Sequence, residues 1–104
     1  MGGKASRAKG ASAEREVVIL LKERGYTARR AAYSGAMAHE KGDVVGLDGF
    51  HVEVKRCEKL QLPMWTRQAE SQAKDGEVPL VVYRSSREPW RVSMPFDDFL
   101  DLLK

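Results

Sequence analysis

The chain has 104 residues, 42% hydrophobic and 32% charged, which fits one globular domain and excludes two. No apolar run approaches the roughly 18 residues of a membrane span, and the N-terminal segment lacks the apolar core of a signal peptide, so we expect an intracellular, cytoplasmic protein with no membrane partner. The net charge of +3 is uneven, because residues 1–30 hold eight basic and three acidic side chains, and such a basic third favours a nucleic-acid partner.

The first third of the chain predicts a flexible basic arm followed by a helix. Residues 1–11 are rich in Gly, Ala, Ser and Lys without periodicity, so we predict the arm there and one folded domain over residues 12–104. Ser12 is a suitable N-cap and Gly25 a stop signal, which predicts a helix over residues 12–24. Glu14 lies at the edge of its apolar stripe. Residues 27–32 are predicted as the first strand and residues 33–42 as a loop.

A hairpin is predicted around Asp48 and Gly49, with strands over residues 43–47 and 50–55. The second strand alternates, so that Phe50, Val52 and Val54 face one side of the sheet. The opposite side then carries His51, Glu53 and Lys55.

The hairpin register decides whether Asp43 and Glu53 can act together. A regular two-residue loop would pair Leu47 with Phe50 and place the two carboxylates on opposite faces of the sheet. We therefore predict a three-residue loop, or a bulge near Gly46, that restores the same face.

The remaining elements alternate between helix and strand. Pro63 can open a helix over residues 64–74, strands follow at residues 78–84 and 90–94, and a short helix closes the chain at residues 96–103. We expect Trp65 and Trp90 to be core or interface anchors. The order αβββαββα predicts an α/β fold, a single small domain with a mixed central β-sheet flanked by helices.

The residues with the strongest chemical signal are Asp43, Glu53 and Lys55. Carboxylates on two neighbouring strands could chelate one hard divalent cation, and Mg²⁺ takes one or two protein carboxylates together with water and phosphate oxygens. Lys55, on the Glu53 face, could orient or deprotonate water and neutralise charge that develops at phosphorus. The spacing therefore indicates hydrolysis of a phosphodiester.

Three separated motifs resemble a known family. Gly42-Asp43 followed by Glu53-Val54-Lys55 resembles the core of the PD-(D/E)XK nuclease superfamily, whose fold is that of the restriction endonucleases. The segment from Lys9 to Glu16, with Glu14-Arg15-Glu16, is similar to the opening of the archaeal-type Holliday junction resolvases, and the segment over residues 30–34 is similar to their sequence after the first strand.

The resemblance implies a metal-dependent endonuclease that binds and cleaves four-way (Holliday) DNA junctions in recombination and repair, acting as a homodimer. It implies Mg²⁺ as cofactor, with Mn²⁺ as a substitute, bound by Asp43, Glu53 and the Val54 carbonyl. Glu14 would be a further ligand, directly or through water. The residues implied as catalytic are Glu14, Ser34, Asp43, Glu53, Lys55 and Gln68, with Gln72 as second choice to Gln68 near the scissile phosphate.

The predicted DNA contacts are basic or polar side chains from the arm, the first strand and the end of the catalytic strand. They are Lys4, Arg7, Lys9, Arg15, Arg29, Arg30, Ser34 and Arg56.

Two other functions fit the same residues. One is a flap or single-strand DNA nuclease of the same fold, and the other is a non-catalytic DNA-binding domain that keeps the carboxylates as a relic. For single residues, Glu14 could serve only the helix dipole. His51, on the Glu53 face, could be a metal ligand, although a strand histidine is more often expected to face solvent.

Overall fold

The computed structural model describes residues 3–31 and 42–103, with side chains from residue 10 onward. Its elements run in the predicted order αβββαββα. They are α1 (Gly3–Glu23), β1 (Arg29–Arg30), β2 (Val44–Val45), β3 (Phe50–Arg56), α2 (Leu62–Gln72), β4 (Val78–Arg84), β5 (Arg91–Ser93) and α3 (Phe96–Leu102).

The five strands form one mixed sheet in the order β1-β2-β3-β4-β5. Only β3 and β4 run parallel, and α2 connects them, as parallel neighbours require a crossover. The other neighbours are antiparallel. The sheet therefore places β3, the strand with Glu53 and Lys55, at its centre.

The start of the first helix differs from the prediction. It begins at Gly3 rather than Ser12, so the backbone of the predicted arm is helical from residue 3 onward. Residues 3–11 hold three alanines, two lysines and an arginine, all strong helix formers, and their combined propensity outweighs the cost of Gly10. The flexibility of this arm stays a prediction.

Helices cover both faces of the sheet. On one face, Ala13, Val17 and Val18 of α1 pack against a core that includes Val52 and Val54 of β3. On the other face, Trp65 and Ala69 of α2 pack on Val81 of β4, which confirms Trp65 as a core anchor. Because side chains alternate along a strand, α2 lies on the face that carries Glu53.

The C-terminal helix is different, because no residue of α3 is buried. Phe96 is 70% exposed, and Phe99, Leu100, Leu102 and Leu103 are exposed as well. These apolar side chains do not complete the core of the monomer.

Candidate active site

The hairpin between β2 and β3 contains the predicted bulge. The Phe50 N–H donates to the Leu47 carbonyl across Asp48 and Gly49, whereas Val44 pairs with Val52. Two residues separate Leu47 from Val44, but only one separates Phe50 from Val52, so β2 carries one extra residue. This register places position 43 opposite position 53, as predicted.

Gly46 is the residue that makes this bulge. Its φ is +97°, a conformation that favours glycine. A Cβ at this position would also overlap the Thr27 carbonyl oxygen, so the segment before β1 packs directly against the Gly46 backbone.

Hydrogen bonds to the chain segments on both sides fix the backbone of Asp43. Its N–H donates to the Val52 carbonyl (2.8 Å), and its carbonyl accepts from the Ala31 N–H (3.0 Å). Its side-chain Oδ2 accepts a 2.7 Å hydrogen bond from the Val54 N–H. The carboxylate of Asp43 therefore lies against the backbone that connects Glu53 to Lys55.

Glu53 is buried, with 4% of its surface exposed, and its Oε2 lies 2.7 Å from Nε2 of His51. Burial raises the pKa of Glu53, and the nearby Asp43 carboxylate raises it further. The hydrogen bond and charge of His51, and the charge of Lys55, oppose this rise. Asp43 and Glu53 are thus close enough to repel each other.

Glu14 lies on α1, and its Oε1 accepts a 2.9 Å hydrogen bond from Nε of Arg30. Burial is the main cause that raises the pKa of Glu14, while the Arg30 hydrogen bond lowers it. The Asp43 carboxylate also contributes to the rise. Besides burial, the negative charge of Asp43 therefore raises the pKa of both Glu14 and Glu53.

This donor set fits a hard divalent cation. The Asp43 carboxylate raises the pKa of the buried Glu53, so two carboxylates lie close together here, and oxygen ligands of this kind suit Mg²⁺. Within residues 3–31 and 42–103 no three His, Cys, Asp or Glu side chains are arranged to hold a metal. Asp43 and Glu53 are the two carboxylates that the described residues bring together here, and they are the residues that could hold such a cation.

Lys55 lies on the same face of β3 as Glu53 and reaches α2. Its Nζ is 3.5 Å from Oε1 of Gln68, so the structure brings together two residues that were predicted to act at the phosphate. Gln72, the second choice, lies one helical turn further on and lines a cleft of about 270 Å³ with the hairpin instead.

The predicted DNA contacts are distributed unevenly. Ser34, and the side chains of Lys4, Arg7 and Lys9, lie outside the described residues. Arg15 and Arg29 are exposed, which suits contact with phosphates. Arg30 binds Glu14, and an NH1 atom of Arg56 lies 3.7 Å from Glu16.

Sequence reasoning missed two features of the site. His51 was expected to face solvent, but it is 4% exposed, because β3 is a central strand with helices on both faces. Arg84 is the register partner of Arg56 on β4, and its guanidinium stacks on Trp90, whose indole N–H donates to Glu16 (2.9 Å). The sequence alone does not give the register between β3 and β4, so it could not show that Arg56 and Arg84 are partners.

In the part of the chain that the structure describes, no helix has the length and apolarity to cross a bilayer.

Comparisons with known proteins show the family and the fold of the chain. The sequence matches a protein family described as "Phage putative PDDEXK endonuclease" over residues 5–104. Among solved structures, the fold is similar to that of Hjc from Archaeoglobus fulgidus, a Holliday junction resolvase from an archaeal hyperthermophile, with 23% identity and a TM-score of 0.57. That similarity covers 82% of this chain and 76% of the other, and it shows a common fold. No curated protein matches the sequence significantly.

Proposed function

The chain belongs to the phage PDDEXK endonuclease family, and from that premise we propose that it is a Mg²⁺-dependent endonuclease that cleaves four-way DNA junctions as a homodimer. Family membership confirms the PD-(D/E)XK resemblance, and the restriction-endonuclease-like fold agrees with it. Nucleases of this superfamily act on DNA and generally use divalent metal ions. The choice of Mg²⁺, the junction substrate and the dimer are the proposal.

One observation carries the proposal: the Val54 N–H binds Oδ2 of Asp43, so that Asp43 adjoins the strand segment that holds Glu53 and Lys55. Two carboxylates, a carbonyl and an ammonium then lie at one end of the hairpin. A non-catalytic domain has no need to bury Glu53 beside a second carboxylate, because such burial costs free energy.

Each residue of the candidate site has a separate role in the proposed reaction. Asp43, Glu53 and the Val54 carbonyl would hold a divalent cation, which would supply Lewis-acid stabilisation and activation of water. The Lys55 ammonium neutralises charge on the phosphate oxygens as the bond to the incoming oxygen forms. Gln68 contacts the Lys55 Nζ and so keeps the ammonium over the phosphate.

Glu14 acts from the opposite face of the sheet. Its charge acts on Asp43, and its hydrogen bond to Arg30 fixes the carboxylate near the hairpin. In this proposal Glu14 is a further ligand or reaches the cation through water, whereas Arg30 orients it. Arg15 and Arg29 are then the described side chains that remain best placed to follow the DNA backbone.

Two observations support a four-way junction as the substrate. The similar fold of Hjc is that of a Holliday junction resolvase, and the basic N-terminal third supplies charge for a branched polyanion. A four-way junction is resolved by paired cuts, and one chain carries one site of this kind. A two-fold dimer provides the second site in the matching symmetry.

The surface proposed for the dimer is α3. Its apolar residues are exposed, and a second copy could bury them. Trp90, expected as a core or interface anchor, is half-buried and packs against the core, and its indole N–H donates to Glu16 within the monomer.

The deciding experiment compares four substrates: a four-way junction, a flap, a single strand and a linear duplex, each with and without Mg²⁺. We expect paired Mg²⁺-dependent cuts in the junction and slower cleavage of the other three. Preferred cleavage of the flap or single strand would assign the alternative nuclease function. Binding of the junction without any cleavage in Mg²⁺ or Mn²⁺ would instead identify a non-catalytic domain.

A further inference from the structure

A buried imidazole lies beside the proposed metal ligand Glu53. His51 and Glu53 are each 4% exposed, and their Nε2 and Oε2 atoms are 2.7 Å apart. Since an ionised carboxylate can only accept, this hydrogen bond requires the proton on Nε2 when Glu53 is ionised. A polar ring at this depth is costly unless it is paired, and Glu53 is the partner that the structure gives it.

The imidazole of His51 packs against the backbone of Gly42, the residue just before Asp43. Gly42 is buried, and its φ is +86°. A Cβ there would lie 3.2 Å from Cε1 of His51 and 2.9 Å from the Val52 carbonyl oxygen. The ring therefore lies close against position 42, and it packs between the chain that leads to Asp43 and the carboxylate of Glu53.

Lys55, another polar group near Glu53, has a different partner. Lys55 shares the face of Glu53, but its Nζ contacts Gln68 on α2. The hydrogen-bond partner that the structure gives the Glu53 carboxylate is thus His51, at Oε2.

We propose that His51 is a positioning residue for the metal site, which fixes the rotation of the Glu53 carboxylate through Nε2–H and keeps Oε1 for the cation shared with Asp43. This inference rests on the proposed function. Residues that orient a metal ligand affect metal affinity, and their loss typically weakens binding about 10–100-fold.

Two amide substitutions separate this role from a packing role. In His51→Gln the amide nitrogen occupies nearly the place of Nε2, so that the hydrogen bond to Glu53 can persist. In His51→Asn the nitrogen lies near the place of Nδ1, on the Gly42 side, and cannot reach Oε2. Both variants place a neutral amide in the same buried position, so the pair is matched in polarity.

The test measures binding of Mn²⁺ alone to the full chain, without DNA, by calorimetry and by electron paramagnetic resonance. We expect His51→Gln to stay close to the wild type and His51→Asn to bind Mn²⁺ about tenfold or more weakly. In junction cleavage, His51→Asn should need more Mg²⁺ for half-maximal rate and should recover at saturating Mg²⁺. Equal Mn²⁺ affinity in all three proteins would overturn the inference while leaving the proposed function intact.

Failure of the proposed metal site gives a different result, since the wild type and Glu53→Gln would then bind Mn²⁺ equally weakly, and a different substrate preference would appear only in the cleavage assay. If His51→Asn does not fold, the wild type still provides a test. Nitrogen-15 NMR should find the His51 proton on Nε2, protected from exchange with solvent. A proton on Nδ1 instead would contradict the proposal.

Discussion

The backbone N–H of Val54 donates a 2.7 Å hydrogen bond to the carboxylate of Asp43, eleven residues earlier in the chain. The carboxylate of Asp43 thereby lies directly beside the backbone of β3. This contact joins the residue just before β2 to the strand that carries Glu53 and Lys55. The position of the active site consequently depends on the hairpin register.

The first prediction concerns Glu53 and Lys55. We expect Glu53→Gln and Lys55→Ala each to slow junction cleavage by about 10²–10³-fold, the usual effect of losing one preorganised electrostatic group. Junction binding should persist, because phosphate contacts elsewhere dominate affinity. Cleavage rates and gel-shift affinities in Mg²⁺ provide the measurements.

Matched controls for these variants lie on the surface nearby. Glu70→Gln changes an exposed carboxylate on α2, and Lys59→Ala removes an exposed ammonium after β3. Both controls should cleave like the wild type. Normal cleavage by Glu53→Gln with metal present would refute the site assignment.

The second prediction concerns the bulge. Gly46→Ala should destabilise the protein strongly and abolish cleavage, because its φ of +97° is strained for alanine and its Cβ would displace the Thr27 backbone. Gly49→Ala is the control: its φ is +86°, but a Cβ there meets open space, so it should lose only about 1–2 kcal/mol. Urea denaturation compares the two, and an equal loss of stability would contradict the packing of Gly46 on Thr27.

The third prediction is a pH-dependent stability difference between the wild type and Glu53→Gln. Burial and Asp43 raise the pKa of Glu53 above its ordinary value of 4.5, so the folded state binds this proton more tightly than the unfolded state. The contribution of Glu53 to stability is therefore greatest below pH 4.5 and is lost as the pH rises through the folded-state pKa. Glutamine cannot ionise and avoids this loss.

Thermal denaturation from pH 4 to pH 8, without metal, measures this difference. Glu53→Gln should match the wild type at the acidic end and have the higher Tm at neutral pH; each 1 kcal/mol corresponds to roughly 4–8 °C for a domain of this size. Addition of Mg²⁺ should raise the Tm of the wild type and reduce the gap. A Tm difference that does not change with pH would show that Glu53 is not destabilised by its surroundings.

The fourth prediction concerns α3. Light scattering without DNA should give about twice the monomer mass of 11.7 kDa, and the double variant Phe96→Glu/Phe99→Glu should give the monomer mass. Since no residue of α3 is buried, this variant should stay folded. Leu60→Glu, a change at an exposed leucine outside α3, is the control and should remain dimeric. A strict monomer that binds junctions one-to-one would exclude the dimeric resolvase and favour a flap or single-strand nuclease.

The sequence by itself determined the order of the elements and indicated the candidate site residues. Alternation over two residues, turn signals at Asp48-Gly49 and Pro63, and the charges at Asp43, Glu53 and Lys55 are local properties, and the structure follows them. Even the bulge at Gly46 was predictable, because two carboxylates can share a cation only if the register shifts by one residue.

Only the tertiary structure decided which polar residues are buried and what they contact. The alternation in β3 does not reveal that helices cover both of its faces, so it could not distinguish a solvent-facing His51 from one packed between Gly42 and Glu53. The pairing of Glu14 with Arg30 likewise joins α1 to β1 across sixteen residues of sequence. Such contacts depend on how the helices and strands pack in three dimensions, and local periodicity carries no information about distant partners.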